Sequence, residues 1–430
     1  MTILEVSRPG SPLVSLTLRL PAGAANDPPG QEGLAELTGR LLRDGSDRRD
    51  GNGIEIALDR LAGSLAISVD HDATDLDARF FRSDVRPGLE LLLEVAFDPS
   101  FPANALRRRR GLLVDDLLDL RDDPGELADR LFDRELFAPH PYARPVLGTE
   151  PSARALRRGS VIAHHRRGFR PDTALLAAAG DLRGIDLAPL VEARCARIRP
   201  SHARAGAPPP LPDPAPLEGL RIAAMHRQDL RQSHVRIGAP GVRWTDPDLP
   251  AVDIANTIFG GAYTSRLVDE IRSRRGLAYA AHSAFETGRD RGAFKISTHT
   301  SHDRLREAID LVRGLLDRFR RGPVRSDELD RAVRYRLGMH ALATETAADV
   351  ASFHLDAAFH GLPEGWVEGI PHRLRRVRIP EVRAAAQSRF PGENLLVAVV
   401  TDLERTAGSL AALGPLRAFD FRTGEPIRGG

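Results

Sequence analysis

The chain has 430 residues, 42% hydrophobic and 28% charged, too long for one ordinary core and too apolar for a wholly disordered polypeptide. Its 61 basic residues against 59 acidic ones leave a net charge of +2. That balance excludes a protein whose main task is neutralising phosphates. Lys295 is the only lysine, and the arginine excess, with abundant Ala, Gly and Pro, reads as coding bias and not as a nucleic-acid signal. Cys195 is the single cysteine, so no intramolecular disulfide and no Cys-based zinc site can form. The first twenty residues lack a basic region followed by an apolar one, and the longest apolar runs, such as Leu395–Val400, fall far short of a membrane span. The expectation is a cytoplasmic protein that contacts neither membrane nor nucleic acid.

In chain order, an alternating strand over Leu13–Leu20 is followed by a helix within Gly33–Gly45 and a second over Gly53–Ala62. Alternating segments Ser64–Val69 and Asp75–Phe80 predict a strand pair. A helix after Pro87 leads into charged helical stretches over Ala103–Leu120 and Pro124–Leu136, and the run ALLAAAGDL closes the half as an apolar strand. Residues 203–219, ARAGAPPPLPDPAPLEG, carry six prolines between Pro208 and Pro216 and predict a semi-rigid linker. The second half repeats the order. It runs through strand Ser233–Ile237, helices Leu249–Phe259 and Ser265–Arg275, and strands around Leu277–Ala284 and Ala293–Thr298. Helices over Asp303–Arg320, Ser326–Glu345 and Ala347–His360 come next, then a closing strand NLLVAVV. The repetition predicts an internal duplication: an N-terminal domain 1–202, the linker 203–219 and a C-terminal domain 220–430. The fold class is α+β, each domain a mostly antiparallel sheet with helices packed on one face.

The segment GGAYTSRLVDEIRSRRGLAYAAHSAFETGRDRGAFKIS, together with HPYARPVLGTEPSARAL and RRGFRPDTALLAAAGDL in the first half, resembles the pitrilysin/insulinase group of zinc peptidases in its small, mitochondrial-processing-peptidase-like form. The resemblance covers essentially the whole chain. Catalytic members carry His-x-x-Glu-His on the first helix. There, two histidines at i and i+4 reach one zinc ion and the Glu takes a proton from the metal-bound water. Anchored on Gly45-Ser46, the corresponding positions here are Glu36, Gly39 and Arg40. Glycine has no side chain to act as base, and the arginine is a permanent cation. The third ligand of the family, a Glu on a later helix, corresponds to Asp116, next to Asp115. The expectation is a Glu36–Arg40 ion pair in place of the metal and no metal in this chain.

The resemblance also implies a substrate-binding pair, Arg272 and Tyr279, in which the guanidinium holds a peptide carbonyl and the phenol hydroxyl stabilises an oxyanion. Arg272 is expected near a helix end, with Gly276 allowing the turn and Tyr279 on the following strand. The plainer alternative pairs Arg272 with Asp269 and leaves Tyr279 in a core strand. By the same resemblance, the chain is the non-catalytic, substrate-binding subunit of a heterodimeric zinc peptidase. Its partner would be a homologous subunit with an intact His-x-x-Glu-His that brings the zinc, and its substrate an unfolded peptide such as a ribosomally made precursor or leader. The alternatives are a structural or peptide-binding homodimer with no role in proteolysis, and a rearranged metal site on Glu36 and Asp116. Strand Ser64–Val69 occupies the edge where the family pairs with extended peptide. His140, His164, His165, His226, His299 and His302 are expected to be structural, and the run Arg107–Arg110 to form a solvated face with local ion pairs.

Overall fold

The computed structural model describes residues 1–196 and 211–427, so residues 203–210 of the expected linker lie outside the described residues. The described chain forms two compact units. The first comprises residues 1–118, 144–211 and 341–367, and the second comprises 119–143, 212–340 and 368–430.

The first unit is built on a five-stranded sheet of β1 (Thr2–Ser7), β2 (Leu13–Leu20), β3 (Ser64–Val69), β4 (Thr74–Phe81) and β5 (Leu175–Gly180), in the order β1-β5-β2-β4-β3. Only the β1–β5 pair is parallel. Alternation places Val14, Leu16, Leu18 and Leu20 of β2 and Leu76, Ala78 and Phe80 of β4 in the core. Helices α1 (Leu34–Leu41), α2 (Gly51–Arg60), α3 (Val85–Phe97) and α4 (Ala103–Asp119) succeed one another in chain order. Helix α3 packs on β4 and α1 on β3.

The second unit contains a six-stranded sheet of β6 (Leu220–His226), β7 (Gln232–Pro240), β8 (Ala281–Glu286), β9 (Ala293–Ser301), β10 (Leu395–Thr401) and β11 (Leu416–Asp420), in the order β11-β6-β10-β7-β9-β8. Apart from β11, this order reproduces the first sheet strand for strand. In both sheets the opening strand lies parallel to the closing one, so the duplication read from the sequence is present in the topology. Its core joins Val235, Ile237, Val397 and Val399 of the sheet to the helices Leu249–Asn256, Leu305–Arg321 and Ile379–Arg389.

The units do not follow the chain halves segment by segment. Helix α5 (Pro124–Phe137), inside the expected domain 1–202, belongs to the second unit, and helix Ala347–Phe359, inside 220–430, belongs to the first. Each lies on the sheet face opposite the main helical layer. On α5, Asp129 pairs with Arg236 at 2.7 Å and with Lys295 at 2.9 Å, and Phe132 approaches the backbone where Gly238 lacks a side chain. On the first sheet, Ala351 and Leu355 pack on Ala177 and Ala179, and Asp356 pairs with Arg19. The α+β class thus holds, but the helices are not confined to one face: α5 and helix Ala347–Phe359 lie on the second face of their sheets.

Two strands opening the halves, β1 and β6, have no counterpart in the sequence expectations, and neither has β11. The strand expected at Leu277–Ala284 begins at Ala281, which leaves Tyr279 in the loop before it.

Candidate functional site

Helix α1 carries Glu36, Gly39 and Arg40, the positions that the resemblance aligns with the zinc motif. Its start is held by the buried Asp27 carboxylate, which accepts hydrogen bonds from the backbone N–H groups of Gly33, Leu34 and Ala35 at 2.9–3.0 Å. Burial pushes the Asp27 carboxyl up to about 7 against those three bonds. From this anchored end the helix presents Glu36 and Arg40 one turn apart on a single face.

Arg40 Nε donates to Glu36 Oε1 at 2.6 Å, and its Nη1 donates to Asp116 Oδ2 of α4 at 2.6 Å. One guanidinium therefore bonds the carboxylates at both of the remaining ligand positions. Burial opposes the charge on Arg40, but the bonds to Glu36 and Asp116 outweigh it and raise its pKa. The residues do not fit zinc. Their free carboxylates already hold a cation of fixed charge, and the position of the general base bears no side chain.

Gly39 has a structural reason to be glycine here. A Cβ at this position would lie 2.8 Å from Val69 Cγ2 and 3.5 Å from Ile67 Cγ2. The helix thus packs directly on β3, and any side chain at this position would have to displace Val69 at its first carbon. A recess of about 320 Å³ beside it is lined by Gly39, Arg40, Arg43, Glu55, Ile67 and Arg109.

β3 is the edge of its sheet. The hairpin bond from Asp70 N–H to Ala73 O sets the alternation along the β3–β4 pair. Leu65, Ile67 and Val69 therefore turn their backbone groups away from β4. Arg43 Nη1 donates to the Leu65 carbonyl at 2.5 Å, while its Nη2 forks onto the Glu55 carboxylate at 2.9 and 2.7 Å. Part of the free edge is thus occupied by a side chain of the same unit. Sequence reasoning missed Arg43 and Glu55, because twelve residues and a change of helix separate them.

The Arg107–Arg110 run is not simply a solvated face. Arg108 and Arg109 both clamp the buried Asp44 carboxylate, each at 2.7 Å, and Arg110 donates to the Leu156 carbonyl. Of the six histidines singled out, His164 is buried 3.9 Å from the Asp27 carboxylate, and the other five make contacts within the fold. His140 is fully buried and bonds Asp290 at 2.8 Å, His165 bonds the Ala96 carbonyl at 2.8 Å, and His302 bridges Ser233 and the Leu230 carbonyl. His226 accepts from the Leu403 N–H, and His299 stacks on His234. Among the described residues, no three His, Cys, Asp or Glu side chains are grouped so as to hold a metal ion, and no helix is long and apolar enough to cross a membrane.

In the second unit, Arg272 lies in the π-helical turn Asp269–Arg274. The turn ends at Gly276, whose φ of +55° suits a residue without a Cβ. Arg272 Cζ sits 4.7 Å from the Tyr279 ring centroid, so these two sequence-predicted residues meet, and 5.0 Å from the ring of Tyr263. Both tyrosines are open to solvent, at 70% exposure for Tyr263 and 77% for Tyr279. The alternative pairing of Arg272 with Asp269 does not form. Asp269 is taken by Arg274 at 2.8 Å, and Arg274 also bonds Glu270. Tyr263, nine residues before Arg272, was not singled out from the sequence; its place within GGAYTSRL was the available signal.

A duplicated α+β fold, with a metal face closed by arginine in one unit and an open arginine–tyrosine cluster in the other, defines a peptidase-like protein without the zinc motif. Residues 2–150 match the family described as Insulinase (Peptidase family M16), and residues 155–335 match the Peptidase M16 inactive domain. The chain belongs to the insulinase (M16) family. An uncharacterized zinc protease of Streptomyces coelicolor is 26% identical over 92% of this chain and 83% of its own length. The non-peptidase homolog YmxG of Helicobacter pylori is 22% identical over 92% and 90%. Among solved structures, a peptidase M16 inactive domain from Pseudomonas fluorescens superposes with a TM-score of 0.85 at 24% identity, covering 93% of this chain and 95% of that one.

Proposed function

We propose that this chain is the non-catalytic, substrate-binding subunit of a two-chain zinc peptidase. The reading makes the partner a homologous chain with an intact His-x-x-Glu-His that supplies the metal and its activated water. It gives this chain the task of holding an unfolded peptide, for example a ribosomally made precursor or leader. Arg272 binds a peptide carbonyl of the substrate, and the Tyr279 hydroxyl donates to the oxyanion that forms as water attacks.

The observation that carries this reading is the contrast in how the two arginines are used. Arg40 commits its donors to Glu36 and Asp116, whereas Arg272 has no carboxylate partner among the described residues and lies over an exposed phenol. Coexpression with a zinc-motif homologue, followed by peptidase assays of the purified pair, tests it. Activity that requires both chains and falls with Tyr279→Phe supports the assignment. Activity of the partner alone equal to that of the pair rejects it.

A further inference from the structure

We propose that Tyr263 is a third member of the Arg272–Tyr279 site and that the cluster takes a peptide carboxylate. This rests on the reading that Arg272 meets the substrate, and extends it to a positioning residue and a ligand class: of the five N–H donors of the guanidinium two take the carboxylate, which leaves another for the peptide carbonyl. Arg272 Cζ lies over both rings, at 5.0 Å from Tyr263 and 4.7 Å from Tyr279. A guanidinium held by ring faces keeps its in-plane N–H donors open. Neither phenol reaches these positions through burial, since both are largely in solvent. They are large apolar-bodied groups kept at the surface around a cation.

The nearby carboxylates do not neutralise Arg272. Asp269 and Glu270 pair with Arg274, and Glu328 pairs with Arg266. There remains a fork of donors beside two aromatic rings. A single peptide carbonyl engages one donor of such a fork, whereas a carboxylate engages two and brings the opposite charge. Tyr263 stands two residues before a capped helix start. The Ser265 side chain accepts from Val268 N–H and caps the helical segment that leads to Arg272. On either side of Tyr263, Ala262 and Thr264 line a cavity of about 190 Å³ with Ile258, Ala332 and Tyr335. The loop that presents the ring thus also offers a recess for one side chain.

The test uses the full chain and three labelled decapeptides of one sequence: free C-terminal acid, C-terminal amide, and amide with one internal Asp. Binding is read by fluorescence anisotropy at two salt concentrations. The acid is expected to bind about tenfold tighter than the plain amide, with the advantage shrinking at high salt. Tyr263→Leu should remove most of that advantage and Tyr263→Phe should keep it, because only the ring face is used. Arg272→Gln should weaken binding of all three peptides. Both tyrosine variants should melt with the wild type, which separates a local effect from misfolding. If the internal-Asp amide matches the acid, the carboxylate class stands and its source is a side chain.

Equal binding of all three peptides to the wild type overturns the carboxylate assignment. Unchanged discrimination in Tyr263→Leu overturns the role of Tyr263. In both cases a loss in Arg272→Gln leaves the underlying reading intact, whereas wild-type binding by Arg272→Gln, or no binding of any peptide, overturns that reading as well.

Discussion

Arg40 and Arg272 are both helical arginines near the motif positions of their units, and they do opposite things. Arg40 is bonded by two carboxylates on two helices, half-buried and fixed. Arg272 lies against two ring faces, and among the described residues no carboxylate pairs with it. The side chain is the same, so its neighbours decide what it can do: committed donors make a structural cation, and open donors leave room for a ligand. The two sites share no residues, so on the proposed reading the metal site of one unit could be lost without disturbing the arginine–tyrosine cluster of the other.

The most severe way to break the comparison is to remove the chemistry at the open site. In the assembled pair, Tyr279→Phe should lower kcat by about 10²-fold with little change in KM, the pattern for a group that acts on the oxyanion. Unchanged kcat would place Tyr279 outside the reaction. At the closed site the expected effect is on stability alone. Arg40→Met leaves Glu36 and Asp116 without their shared cation. It should cost about 1–2 kcal/mol in urea unfolding, less than a fully buried pair because Asp116 is half exposed. Peptide affinity should not change, and a change would show that Arg40 also meets substrate.

A smaller effect sharpens the account of Gly39. Gly39→Ala should cost about 1 kcal/mol through the 2.8 Å approach to Val69. Val69→Ala in the same chain should recover part of that loss, and additive losses would show that the contact is not the cause. The smallest effect is a pH slope. Burial lowers His164 and His165 to about 4, below the usual 6.5. Between these values the unfolded chain binds protons that the native one does not, so their contribution to stability is lost as pH falls from about 6.5 to 4. Asp27, raised by burial to about 7, acts in the opposite sense, since its native form keeps a proton that the unfolded chain releases. His165→Gln should therefore make the acid-side loss shallower by about one proton, measured by denaturant melts at pH 4.5 and 6.5. An unchanged slope would show that His165 can protonate in the native state.

Much of the fold was legible because it is written in local periods. The alternation in Leu13–Leu20 and Ser64–Val69 matches β2 and β3 residue for residue. The opening strands β1 and β6 escaped because each is short and pairs in parallel with a strand more than 170 residues later. Likewise the apolar faces of α5 and of helix Ala347–Phe359 announce helices without saying which sheet they cover. At the candidate site, the Glu36–Arg40 pair follows from i,i+4 spacing alone. The resemblance marked Asp116 only as the counterpart of the third metal ligand, and its bond to Arg40 from α4 needed coordinates.

From its own residues, the sequence determined that no base or pair of histidines stands on the first helix, since side-chain chemistry at four-residue spacing is local information. Only the tertiary structure decided that Asp116 completes the cage around Arg40, that Arg43 caps the edge of β3, and that Tyr263 joins Tyr279 at Arg272. Those contacts depend on how separate elements pack, and no spacing along the chain specifies which donors packing will leave open.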